Sequence, residues 1–297
     1  MKPNLFTETA KGRVTKYIAA AVPLAVLLFA AGQFLGIGIM EGIVKILSLF
    51  GLPAHWADIR TLTFLTYDIG VFIVFFSWVK WVEKRPISSM GLFKNRVGSE
   101  LLKGWLWGGV MFTVIILLLG FLGIAQLDKI NLTFPNFVFL IIFMLVWQIQ
   151  SAGEELMTRG WLLPVLASHH RKVTAVSIVS LLFAVLHLLS PHITLISLLN
   201  ASLFGLMMCL YVIGKGDLWG AFGLHAAWNC FQGSVFGVQV SGLSLVSSAI
   251  FKFKLTGPAY LTGGQFGIEG SLLTLLIYAS VCLFLYLKIR EEAAVAP

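Results

Sequence analysis

The chain has 297 residues, of which 58% are hydrophobic and 11% charged, with a mean hydropathy of +0.92. A soluble domain is about one quarter charged, so there is too little polar surface here to coat a water-soluble globule, and the chain reads as an integral membrane protein. The formal net charge of +8 would suit a nucleic-acid binder, but the 21 Lys and Arg lie in short clusters between apolar runs without an aromatic-interleaved basic face. That pattern excludes nucleic acid as a partner and points to the lipid bilayer.

A membrane-spanning helix needs about 20 mostly apolar residues. Eight segments meet that description, near residues 15–38, 62–80, 104–125, 135–160, 173–190, 193–213, 218–237 and 271–288. The first is too long, and continues too apolar, to be a cleaved signal peptide, so it reads as an anchor. Orientation follows from the Lys and Arg between segments. The N-terminus, the connections at 81–103, 159–172 and 214–217, the C-terminus and the neighbouring Lys80 carry 16, against 5 on the other side. The expected fold is therefore all-α and polytopic, with eight transmembrane helices, both termini cytoplasmic, and a single transmembrane domain over 1–297. Residues 238–270, rich in Gly and Ser yet apolar, are long for a simple turn and read as a flap or re-entrant piece on the outer side. Cys209, Cys230 and Cys282 fall inside apolar stretches with no CxxC pair, which argues against a disulfide framework or a thiolate metal site.

The spans contain groups that are costly in lipid: Asp68, Glu154, Glu155, Arg159, His187 and His225, with the amides Gln148, Gln150, Asn200, Asn229 and Gln232. A charge at mid-bilayer costs about 2.5 to 3.5 kcal/mol, so the three charges of the fourth segment should face the bundle interior. Glu155 and Arg159 stand at i, i+4, where an acid ahead of a base can pair along one helix face. Glu154 lies about 100° around the helix and points elsewhere. Taken alone, this trio reads equally as the solvated end of the helix. The neighbouring hairpin tilts the balance, because Glu154 and His187 are equally far from the turn at "SHHRKV" and should sit at one depth. His225 is nearer its own turn, so bringing it to that depth requires a protruding hairpin or tilted helices. His225 and Asn229 share a helix face, as do Phe183 and His187. Asp68 reads as a packing acid paired with Tyr67 or a third-helix group, and Asn200 as an interhelical hydrogen-bond donor. Gln148, Gln150 and Ser151 satisfy a wet cavity, and His169 and His170 belong to the basic turn.

These residues carry a resemblance. Glu154-Glu155-x-x-x-Arg159, Phe183-x-x-x-His187 and His225-x-x-x-Asn229, in that order over three successive helical regions, resemble the three motifs of the CPBP family. These are the CAAX-protease and bacteriocin-processing intramembrane peptidases, also called the Abi family. The resemblance spans roughly 135 to 290, the expected catalytic core, and "LTGGQFGIEGSLLTLL" also looks like bacterial members. It implies hydrolysis of a peptide bond in a membrane-associated peptide or protein, in a bacterial plasma membrane.

Amide hydrolysis needs an activated water, a stabilised oxyanion and a proton for the leaving amine. A glutamate in a low-dielectric pocket can take a proton from water and return it, so Glu154 is the expected base, with His187 holding the water or the carboxylate. His225 and Asn229 are the expected oxyanion donors. Glu155 and Arg159 are expected behind them, fixing the helix so that Glu154 points inward. Two His and one Glu are also a zinc ligand set, so Glu154, His187 and His225 are the alternative metal ligands. HExxH is missing, and the reading favours no cofactor. A non-catalytic scaffold or bacteriocin-immunity protein would be expected to lose a motif residue, and none is lost. A proton-coupled transporter would be expected to repeat itself in inverted halves, and no such symmetry is present.

Overall fold

The structure, a computed structural model, describes residues 4–51 and 57–295. A short amphipathic piece, α1 (Leu5–Thr9), opens the chain, capped where Asn4 Oδ1 accepts the Phe6 N–H. The spans then follow: α2 (Ile18–Leu49); α3 (Ala57–Leu65) and α4 (Asp68–Ser77), which with a π turn at Trp78–Val82 make one run; and α5 (Val97–Phe121). After the strand β1 (Ala125–Ile130), α6 (Phe134–Glu155), a π turn (Leu156–Leu162) and α7 (Leu163–Ala167) form a second continuous run. α8 (Lys172–Leu186) ends in a 3-10 turn at His187–Leu189, and α9 (Leu195–Lys215) follows. α10 (Trp219–Cys230) continues through a π turn to Val235. Strand β2 (Phe251–Leu255), the short α11 (Ala259–Thr262) and α12 (Leu272–Val295) complete the chain.

Local sequence sets these boundaries. Thr133 caps α6 by accepting the Asn136 N–H, with Pro135 in the first turn, where its missing N–H costs nothing. Thr194 and Ser197 close a capping box on α9, and Gly216, with φ 78°, ends that helix in the left-handed conformation that favours glycine.

Seven helical runs among the described residues are long and apolar enough to cross a bilayer, against eight expected. The difference is the segment expected at 218–237. It is helical over Trp219–Val235, at the short end of what crosses a bilayer, and almost every residue of it is buried. It is a central helix of the bundle, out of reach of lipid. Two close approaches hold the bundle. Gly104 and Gly108 let α5 lie backbone to backbone on α10, where a Cβ at Gly104 would stand 2.1 Å from the Gly220 carbonyl oxygen. Gly32 and Gly36 of α2 do the same for α4.

The expected all-helical fold acquires one small exception. β1 and β2 pair antiparallel into a two-stranded ribbon, Ala125 opposite Leu255 and Ile130 opposite Phe251. The ribbon ties the long 236–271 connection to the end of α5. The largely exposed apolar side chains of α2, α5, α6 and α12, among them Phe34, Phe121, Leu145 and Phe284, face outward as a lipid-exposed belt.

Candidate active site

The run Phe134–Ala167 is 34 residues, roughly 50 Å, well beyond the ~30 Å of a hydrocarbon core. Glu154 lies about 20 Å from its end at Ala167, whereas His225 lies about 9 Å from the start of α10. The two side chains nevertheless meet. Along the helices the reach from Glu154 to Ala167 is about 10 Å longer than that from His225 to the start of α10, a difference taken up by hairpin protrusion or helix tilt.

Glu154, His187, His225 and Asn229 all line one cavity of about 520 Å³, bounded by α2, α6, α8, α9, α10 and the 236–271 connection. Glu154 is 22% exposed into it. Its Oε1 accepts from Gln150 Nε2, and its Oε2 stands 3.9 Å from His225 Nε2. Behind it Glu155 and Arg159 are wholly buried and ion-paired at 2.9 Å, the pairing expected from their spacing. Glu155 does more than the spacing implied. The same Oε1 also accepts from His225 Nδ1 at 3.0 Å. Arg159 donates further to Thr158 Oγ1 and to the Gly205 carbonyl of α9, and lies 4.7 Å from the centre of the Phe183 ring. One guanidinium thus joins α6, α8 and α9. The π turn that begins at Leu156 is part of this arrangement, since Thr158 Oγ1 donates to the Glu154 carbonyl. Such one-turn widenings recur at functional sites.

The hydrogen bonds assign the imidazole protons. His187 Nδ1 lies 2.8 Å from the Phe183 carbonyl, which can only accept, so that nitrogen carries hydrogen and Nε2 is left for the cavity. His225 Nδ1 likewise donates to the Glu155 carboxylate, leaving Nε2 toward Glu154. Asn229 commits both amide hydrogens, to Gln150 Oε1 at 3.2 Å and to Ser151 Oγ at 3.3 Å.

Other expectations fall differently. Asp68 does not pair with Tyr67, whose hydroxyl donates to Glu41. It packs against α6 instead, where a Cβ on Gly153 would stand 2.3 Å from Asp68 Oδ1, and that oxygen has no hydrogen-bond partner among the described residues. Asn200 reaches the connection before α12 rather than another helix, donating to the Glu269 and Ser271 carbonyls. Gln150 borders the cavity, whereas Gln148 accepts from Trp105 of α5. His170 contacts the Lys16 carbonyl. The connection expected as a flap or re-entrant piece supplies Val240, Ser241, Leu243 and Leu245 to the cavity wall.

Sequence reasoning missed Glu269. It lies outside every span, so an inventory of polar groups within spans passed over it. Its carboxylate lines the same cavity and accepts from Trp228 Nε1, Gln232 Nε2 and both the N–H and hydroxyl of Ser241. The available signal was a lone acid in a glycine-rich connection whose other charges are Lys252 and Lys254.

Among the described residues no three His, Cys, Asp or Glu side chains converge on a point a metal could occupy, so Glu154, His187 and His225 do not fit as a ligand set in this arrangement.

No curated protein and no solved structure matches the chain. The Rce1-like family model, described as type II CAAX prenyl endopeptidase Rce1-like, matches residues 134–231, a third of the chain. The matched stretch runs from the start of α6 to the end of α10 and contains all three motifs. Residues 134–231 of this multi-pass membrane protein thus match an Rce1-like domain, the type found in the CPBP/CAAX protease family.

Proposed function

We propose that the protein is an intramembrane endopeptidase that hydrolyses a peptide bond of a membrane-associated peptide or protein, with water activated by Glu154 and no metal. The observation that carries this reading is the meeting of Glu154, His187 and His225 on one cavity, with the buried Glu155–Arg159 pair bonded to His225 from behind. Glu154 accepts a proton from a water oriented by His187 Nε2, and the resulting hydroxide adds to the carbonyl carbon. The oxyanion forms near His225, which donates through Nε2 once that nitrogen is protonated, its positive charge countered by Glu155. Glu154 then returns its proton to the amide nitrogen, the C–N bond breaks, and a carboxylic acid and an amine leave. Asn229 assists the oxyanion when one of its N–H groups is released from Gln150 or Ser151.

The family match supports CAAX-type processing, and the apolar cavity walls equally suit a leader or signal peptide in a bacterial plasma membrane. The test is comparative peptidomics of cells carrying the wild-type protein or Glu154→Gln at equal expression. Peptides that lose a fragment only with the wild type support the reading. A scaffold or immunity protein would retain its phenotype in Glu154→Gln, and Asp68-dependent proton uptake in liposomes would indicate a transporter. Full activity in a chelator is expected, and its loss with rescue by zinc would overturn the metal-free step.

A further inference from the structure

A second cavity, of about 510 Å³, lies away from the motifs, between α5, α9 and α12. It exists because α12 packs along α9 while scarcely touching α5, so the two outer helices leave a groove floored by α9 and α10. One end is cationic. Lys103 begins α5, Lys215 ends α9 and Lys288 lies near the end of α12, so the topology brings three ammonium groups to the basic end of the bundle. The other end is oily, walled by Trp107, Met111, Leu210, Val281 and Phe284. From Lys103 to Met111 the wall runs about 12 Å along α5.

The charge at the mouth is organised. Glu100, nearly buried, takes Lys103 on one carboxylate oxygen at 2.6 Å and Lys215 on the other at 3.7 Å, holding the two side chains next to each other. Lys103 spends one of its three ammonium hydrogens on Glu100, and Lys215 at 3.7 Å is paired by charge without a hydrogen bond, so donors remain on both to face outward. Lys288 has no ion-pair partner among the described residues and also lines the groove. Within the groove's own wall three cations, Lys103, Lys215 and Lys288, face one carboxylate, Glu292, while Glu100 and Asp217 lie behind the wall and act on Lys215. Asp217, close enough to interact with Lys215 and Glu100, caps α10 by accepting the Trp219 N–H and, like Glu100, forms no part of the wall.

We propose that this groove is a binding site for one anionic phospholipid, its monoanionic phosphodiester between Lys103, Lys215 and Lys288 and an acyl chain along Trp107, Met111 and Phe284. An anionic headgroup meets a wall in which lysines outnumber carboxylates three to one, and a free phosphate would leave the apolar body uncovered. Polar-mouthed grooves between transmembrane helices suit such headgroups, and each lysine near the surface contributes measurably to anionic-lipid affinity.

The experiment is native mass spectrometry of the full chain released from mixed micelles, with dioleoyl phosphatidylglycerol, dioleoyl phosphatidylcholine or inorganic phosphate as probe. The expected result is one retained phosphatidylglycerol, with no retained phosphatidylcholine and no protection by phosphate. Lys103→Gln with Lys288→Gln should weaken retention about thirty-fold, and Lys288→Gln alone about five-fold. Lys288 is bonded to nothing that holds the fold, so the single variant decides the matter if the double variant is unstable. Equal retention of the two lipids, unchanged retention in Lys288→Gln, or displacement by phosphate would each overturn the proposal.

Discussion

At the scale of single residues, Glu154 and Glu155 are neighbours in sequence with different fates. Glu154 opens onto a cavity, whereas Glu155 is sealed and held by Arg159 and His225. Removing one partner of a buried ion pair leaves a charge with nowhere to go, at a cost of about 3 to 5 kcal/mol. Arg159→Met is therefore expected to lower the unfolding midpoint sharply in mild detergent. Combining it with Glu155→Gln should cost less than the sum of the single changes in a double-mutant cycle. Glu154→Gln should leave the midpoint near wild type while abolishing cleavage, and a large loss of stability there would count against the division of roles. The i, i+4 spacing made the Glu155–Arg159 pair legible in the sequence. The bond from Glu155 to His225 was not, because it joins residues 70 positions apart and depends on how the two helices are set against each other.

Among the elements, α10 decides whether the site assembles, since it carries both His225 and Asn229. Its position is set by bare backbone against α5. Gly104→Val is expected to destabilise by about 3 kcal/mol or more, because the new atoms meet a carbonyl that cannot move aside. Thermal unfolding and cleavage should fall together, and a variant with full stability would contradict the packing described. The 236–271 connection is fastened differently, by the bonds from Trp228, Gln232 and Ser241 to Glu269. Glu269→Gln should lose charge-assisted bonds worth about 2 kcal/mol locally and expose this stretch to proteolysis before the helices. Resistance equal to wild type would remove its fastening role. Hydropathy located each span but not all its ends, the fourth at 135–160 against Phe134–Ala167 and the first at 15–38 against Ile18–Leu49. The segment at 218–237 is helical over Trp219–Val235 but buried in the bundle, and an apolar helix at the centre of a bundle and one in lipid read alike. The ribbon stayed hidden because its strands are about 120 residues apart and too short for a clear alternation.

For the whole molecule, the imbalance of Lys and Arg predicts the end carrying the α7–α8 turn to be cytoplasmic. With Cys209, Cys230 and Cys282 all buried, an introduced thiol reports cleanly. His169→Cys should react with a membrane-impermeant maleimide only in inside-out vesicles, and Lys254→Cys only from the opposite face. The reverse pattern would invert the topology. The large cavity has a further property. Phe34, Phe64 and Leu189 border it and are 75%, 47% and 91% exposed, so its wall gives onto the hydrocarbon as well as the site. A substrate entering by that flank arrives by lateral diffusion, and its relevant concentration is mole fraction in the bilayer. Diluting reconstituted enzyme and peptide with inert lipid, at constant bulk amounts of both, should slow turnover in proportion to the added area.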